Sequence, residues 1–218
     1  AQPDPRALDS WIAIDTAGKV TAFFGKVDVG QGLDVAVAQM VAEELDLPVA
    51  SVTVVMGDTG VTCNQGGASG STGIKMGGMA LRNAAAEART ILLQRAADHL
   101  RRKPAELATA DGAVFVVGAP AEKVTYAALL RGKYFQSQIA WNGKFGNALG
   151  LTSTGKPKAP AQYKLVGQPV PRVDIPGKVM GTRAFVTDVR VPGMLHGRVI
   201  RPPVAGAVPV EIDPQSIA

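Results

Sequence analysis

The apolar positions change period several times along the chain, and each change marks an element. Residues 11–14 and 20–24 alternate or run apolar around Asp15-Thr16-Ala17-Gly18-Lys19, the pattern of a β-hairpin. Leu33, Val37, Met40, Val41 and Leu45 recur at helical spacing, which predicts a helix over 33–45 that Pro48 keeps from extending. Residues 52–56 form a β-branched strand pattern, followed by a long polar loop to Gly73. From 79 to about 100 the chain is Ala-rich, with Leu81, Ala85, Ala88, Leu92 and Ala96 on a common side. That predicts a long helix able to pack closely. Pro104-Ala105-Glu106-Leu107 reads as a short turn and 112–117 as a strand after an Asp-Gly turn. Thr125 is placed to cap a short helix through Leu130, closed by Gly132.

Between 135 and 160 the periodicity fades while Gly, Asn, Ser, Thr, Lys and Pro accumulate, which reads as a linker or surface excursion. From Tyr163 the pattern becomes proline-punctuated β structure. Two strands are expected over 181–189 and 194–200, around Val191-Pro192-Gly193, and a last one from Val208. That final run reads as a strand followed by a cut. A terminal region of about fifty residues with so few strands buries little core, so it is expected to need more chain. Ala1-Gln2-Pro3-Asp4-Pro5 lacks an initiator Met and reads as a processed or trimmed end.

Composition narrows the function classes. The chain has 218 residues, room for one large or two small domains, and a net charge of +5 from scattered Lys and Arg. The densest cluster, Arg101-Arg102-Lys103, suits the C-terminal turn of a helix. No aromatic residue interleaves with a basic run, so a nucleic-acid partner is not expected. The lone Cys63 excludes an intrachain disulfide and any thiolate cluster built by this chain alone. His99 and His196 match no short metal motif, and no apolar run is long enough to span a membrane.

Two polar glycine clusters carry the candidate chemistry: Val29-Gly30-Gln31-Gly32, and Gly66-Gly67-Ala68-Ser69-Gly70-Ser71-Thr72-Gly73. Each leads towards a helical segment. Small residues before a helix leave backbone N–H groups exposed and closely approachable, the physical basis of an anion cradle. Two such turns separated by a strand suggest a large phosphate-bearing ligand held from two sides. The plain alternative is a pair of ordinary glycine-rich loops.

Lys26-Val27-Asp28-Val29-Gly30-Gln31-Gly32, followed by a helix containing Ala42-Glu43-Glu44-Leu45, resembles a pterin-binding segment of the xanthine oxidase family. Gly67-Ala68-Ser69-Gly70-Ser71 resembles that family's second dinucleotide loop. Residues 171–179 and 188–197 look like the start of its hammerhead-type α/β domain. A cofactor segment ahead of a hammerhead domain resembles the rearranged large subunit of isoquinoline 1-oxidoreductase and of membrane- or periplasm-associated aldehyde dehydrogenases.

The resemblance implies an α+β fold in which a mixed α/β molybdopterin-binding segment (1–132) and a linker or excursion (133–162) precede the start of a hammerhead-type domain (163–218). That domain is expected to be incomplete without a partner chain. It further implies the cofactor-binding portion of a molybdenum hydroxylase. Such enzymes bind molybdopterin cytosine dinucleotide with molybdenum and insert water-derived oxygen into an aldehyde or electron-poor N-heterocycle. On this chain Val29, Gly30, Gln31 and Gly32 would meet the pterin or its phosphate, and Gly67, Ala68, Ser69, Gly70 and Ser71 the other side. The family's catalytic glutamate lies near the C-terminus of the complete large subunit and has no counterpart here, so no catalytic or metal-ligating residue is assigned. The chain alone is expected to be inactive. The implied partners are the rest of the large subunit, a small subunit with two 2Fe–2S clusters, a candidate cytochrome c electron acceptor and a small-molecule substrate. The implied location is periplasmic or on a periplasm-facing membrane, otherwise cytoplasmic.

Other residues are read blandly. Glu43 and Glu44 are expected as surface or capping charges, Cys63 as a buried inert thiol, and Asp58 and Asn64 as loop-shaping residues. Gln31 has a competing reading as a cap of the following helix. His99 is expected near a helix end, His196 as structural within a strand, and Arg201 as a candidate lining of a substrate or interface channel. Two further function classes stay open: a hydrolase using a nucleophile exposed by cleavage on a partner chain, and a non-catalytic assembly module.

Overall fold

The hairpin forms as the pattern requires. β1 (Ile12–Ile14) pairs antiparallel with β2 (Val20–Phe24), with Ile12 opposite Ala22 and Ile14 opposite Val20. Asp15 closes the turn, its Oδ1 accepting from the N–H groups of Ala17 (2.9 Å) and Lys19 (2.8 Å). β2 pairs parallel with β3 (Val52–Met56), which demands a crossover, and α1 (Leu33–Leu45) supplies it. The computed structural model describes residues 2–217 and divides into two compact units, one ending at Asp174 and the other beginning at Ile175.

In the first unit, α2 (Met79–Leu100) runs through the core with Ala84, Ala85, Ala88 and Ala96 fully buried, so α1 packs closely against it. A second sheet follows as an antiparallel meander: β4 (Leu107–Ala110), β5 (Ala113–Val116) and β6 (Ala119–Thr125). Thr125 Oγ1 accepts from the Ala128 N–H (3.2 Å) and so caps α3 (Tyr126–Leu130), as anticipated. The fully buried Tyr126 donates its hydroxyl to the Leu45 carbonyl at 2.8 Å and closes the C-terminal end of α1. Leu8, Trp11, Phe24, Leu81 and Leu92 complete one continuous core.

Residues 133–162 depart from the linker expectation. Phe135, Ile139, Leu149 and Leu151 enter the same core, and β7 (Ala140–Trp141) pairs with β8 (Leu151–Thr152). The stretch that follows is held by buried carboxylates of the two helices. Glu44, with no exposure at all, accepts from Arg82 (2.9 Å), Arg89 (2.7 Å) and the Lys158 N–H (3.0 Å). Glu43 accepts from three successive N–H groups, those of Lys164, Leu165 and Val166, at 2.6–2.9 Å. Glu87 accepts from the Thr154 N–H at 2.6 Å. Glu43 and Glu44 are therefore interior staples, not surface or capping charges. Low-periodicity sequence packs here because helix carboxylates satisfy its backbone donors.

The second unit contains α4 (Ile175–Val179) and short 3₁₀ turns. The strands expected over 181–189, 194–200 and from Val208 do not form among its described residues. Their apolar side chains face solvent, with Leu195 93% and Val210 98% exposed. A strand is stable only with a neighbour to complete its ladder, and none is present among the described residues. His196 and Arg201 lie exposed in this unit, His196 outside any strand. No helix of the described residues is long and apolar enough to cross a membrane.

Candidate functional site

The first glycine cluster leaves the end of β2 and is shaped by Asp28. Its Oδ1 accepts from the Gly30 N–H (2.6 Å) and its Oδ2 from the Leu33 N–H (2.7 Å), so Asp28 serves the first donors of α1. Burial alone would raise the Asp28 pKa, but the N–H groups of Gly30, Gly32, Leu33 and Asp34 outweigh it and hold the carboxyl below its usual range. Gln31 folds back, its Oε1 accepting from the Val29 N–H at 2.8 Å, and takes no capping role. Gly30 (φ +116°) and Gly32 (φ +81°) occupy backbone conformations that side chains resist.

The second cluster is anchored from below. The buried Gln65 accepts from the Gly25 N–H (2.7 Å) and donates to the Gly77 carbonyl (3.0 Å), tying β2 to the approach to α2. Asn64 Oδ1 accepts from the Gly66 N–H at 2.9 Å, and Asp58 Oδ1 from the Gly60 N–H at 2.8 Å, the loop-shaping roles expected of both. Thr72 closes the loop: its N–H (3.1 Å) and its hydroxyl (2.6 Å) both donate to the Ser69 carbonyl. The chain then enters α2 through a π-helical turn, Gly73–Gly78, a widened form common beside functional sites.

These two loops converge. Val29, Gly30 and Gln31 face Ala68, Ser69, Gly70 and Ser71 across a cleft of about 470 Å³, which Thr72 and Gly73 complete. Of the anticipated residues, Gly32 and Gly67 flank the cleft without lining it. Among the described residues, the N–H groups of Gly67, Ala68, Ser69, Gly70 and Ser71 make no hydrogen bond. A Cβ built on Gly30, Gly67 or Gly70 meets nothing within 4 Å, so a ligand can come up to the backbone itself. No lining residue is acidic. A donor-rich, carboxylate-free concavity of this kind suits phosphoryl oxygens.

Several residues of this site escaped sequence reasoning. Lys26 is 1% exposed, and its Nζ donates to the Gly67 carbonyl (2.9 Å) and to Asn147 Oδ1 (2.6 Å). Arg172 donates through Nη1 to the Gly30 carbonyl (3.1 Å) while its Nε and Nη2 donate to Asp174. Lys26 and Asp28 belong to the quoted motif and were legible as part of it. Asn147 stands more than a hundred residues away and gave no local signal, and Arg172 belongs to the 171–179 stretch, where nothing pointed to the first loop. Cys63 is 1% exposed, and burial, reinforced by the Asp4 carboxylate, pushes its thiol up to about 12, the inert behaviour anticipated. His99 lies exposed in the last turn of α2. No group of three His, Cys, Asp or Glu among the described residues is arranged to hold a metal ion.

Residues 2–176 match the family model for the molybdopterin cofactor-binding domain. The chain belongs to this family. It is 43% identical over 201 residues to a nicotinate dehydrogenase chain of Pseudomonas putida, a match covering 92% of this chain and 16% of that one. It is 30% identical over 231 residues to the beta chain of isoquinoline 1-oxidoreductase from Brevundimonas diminuta, covering 93% and 29%. Among solved structures it resembles Cu,Mo-CO dehydrogenase in its carbon monoxide reduced state, with a TM-score of 0.50 and 28% identity over 55% of this chain and 15% of that one. The chain thus spans less than a third of the curated relatives it matches. The expectation of a molybdopterin-binding, large-subunit-like segment with a mixed α/β fold holds at the level of the family. The free N–H groups and open glycine faces of the cleft fit a phosphate-bearing pterin.

Proposed function

We propose that this cleft holds molybdopterin cytosine dinucleotide, and that the chain is the cofactor-binding portion of a molybdenum hydroxylase. The observation that carries the reading is the convergence of both glycine loops on one cleft with free N–H groups. Gly30 and Gln31 would meet the pterin side, and Ala68, Ser69, Gly70 and Ser71 the phosphates, with the serine hydroxyls as added donors. The bound cofactor supplies the metal redox chemistry; this chain's residues bind and orient it. The names of the nicotinate and isoquinoline relatives favour an electron-poor N-heterocycle over an aldehyde as substrate. The catalytic glutamate is then carried by the rest of the large subunit, and the iron–sulfur clusters by a small subunit.

The test is mass spectrometry of the intact native complex, with metal and nucleotide analysis of the same sample. A longer companion sequence, molybdenum and CMP released on acid treatment are expected. A complex free of both molybdenum and pterin would overturn the reading.

A further inference from the structure

We propose that Lys26 is the positioning residue of the second glycine loop: its buried ammonium, with Asn147, turns the loop carbonyls inward and so aims their partner N–H groups at the bound phosphate. The inference rests on the cofactor reading above and adds to it a residue that does not line the cleft.

Lys26 lies under the loop, and its Nζ reaches Gly67 O (2.9 Å), Gly66 O (3.5 Å), Thr72 Oγ1 (3.4 Å) and Asn147 Oδ1 (2.6 Å). All four acceptors are neutral, and among the described residues no carboxylate pairs with it. A buried ammonium with neutral acceptors alone is costly, and burial lowers its pKa accordingly. A side chain kept at such cost calls for a compensating role.

Peptide geometry supplies that role. Every peptide bond of the described residues is trans, so each carbonyl points opposite to the N–H of the next residue. With the Gly67 carbonyl held by Lys26 (2.9 Å) and, more loosely, by the Thr72 hydroxyl (3.2 Å), the Ala68 N–H points away from the ammonium. With the Ser69 carbonyl held by Thr72, the Gly70 N–H points away in the same manner. Ala68 and Gly70 line the cleft, and neither N–H has an internal partner. The packing is close on both sides of this contact: a Cβ on Gly77 would lie 2.9 Å from Lys26 Cε, and one on Gly66 would lie 2.8 Å from the Asn147 backbone nitrogen. The single positive charge behind the loop favours an anion in front of it.

Lys26→Met removes donor and charge, whereas Lys26→Gln removes the charge and keeps an N–H donor on a side chain one atom shorter. Inorganic pyrophosphate is titrated into the cofactor-free full complex at several salt concentrations, and amide exchange is followed over residues 66–72. Lys26→Met is expected to bind pyrophosphate about tenfold more weakly and to exchange faster in the loop. Lys26→Gln is expected to keep wild-type exchange yet lose affinity at low salt, the difference shrinking as salt rises. The salt dependence reads the charge and the loop exchange reads the donor, so the two contributions separate. Unchanged affinity and salt dependence in both variants, with wild type binding normally, overturns the positioning role alone. Failure of wild type to bind pyrophosphate overturns the cofactor reading and this inference with it. Should Lys26→Met not fold, Lys26→Gln and Asn147→Ala decide, and wild-type affinity in both overturns the proposal.

Discussion

Gly73 rests directly on Leu33: a Cβ on Gly73 would lie 2.8 Å from Leu33 Cδ2 and 3.1 Å from Cδ1. Leu33 is the first residue of α1 and Gly73 the first of the π-helical turn leading to α2. The two glycine loops are therefore locked together where each runs into its helix. Gly73→Ala is expected to destabilise the fold by about 1–3 kcal/mol through overpacking, measured by urea unfolding. Leu33→Ala in the same chain should recover part of that loss, since the two changes share one contact. Additive losses would show that Leu33 is not the obstacle.

Glu44 carries more of the fold than its place in an amphipathic helix suggests. It is fully buried between Arg82 and Arg89 and also accepts from the backbone of Lys158. Glu44→Ala strands two largely buried guanidinium groups, so a loss of about 3–5 kcal/mol is expected in chemical denaturation. A loss under about 1 kcal/mol would place the pair in the class of weak surface bridges.

Acid should weaken the fold through identifiable groups. The folded-state pKa values of Asp28 and Glu43 lie below their usual range: burial opposes ionisation in each, but donated N–H groups outweigh it, with Lys158 adding to the effect at Glu43. A depressed carboxylate contributes stability that is fully present above its unfolded value, near 4, and lost as pH falls through its folded value. The urea midpoint should therefore drop on acidification below about pH 4, and less steeply in Glu43→Gln. Equal slopes in the variant and the wild type would count against Glu43.

The periodic elements of the first unit were legible because their signals are local. The 33–45 and 79–100 helices and the 52–56 strand stand where apolar spacing places them. Both glycine loops were legible too, since small residues before a helix have a physical meaning of their own. What stayed hidden is long-range pairing. Glu43 reads as a solvent-facing charge until the N–H groups of 164–166 are brought to it, and Asn147 reads as loop filler until Lys26 reaches it. The expected strands beyond 181 carry the right apolar pattern but no neighbour to pair with among the described residues. A pattern specifies a strand face and does not supply its partner.

Ser71 offers a test in which stability and binding move apart. Its φ of +59° lies in the left-handed region, which costs a non-glycine residue about 1 kcal/mol or more and collects at functional sites. Glycine has no such penalty there, so Ser71→Gly removes strain but also the hydroxyl at the cleft. If the loop were merely a connection, the serine would be a cost without a return. If the hydroxyl meets the cofactor, the strain is retained for binding. Ser71→Gly is accordingly expected to unfold at equal or higher urea concentration than wild type while the purified complex retains less CMP and molybdenum per chain. Full cofactor content in a stabilised variant would remove Ser71 from the contact set and leave the backbone N–H groups as the holding surface.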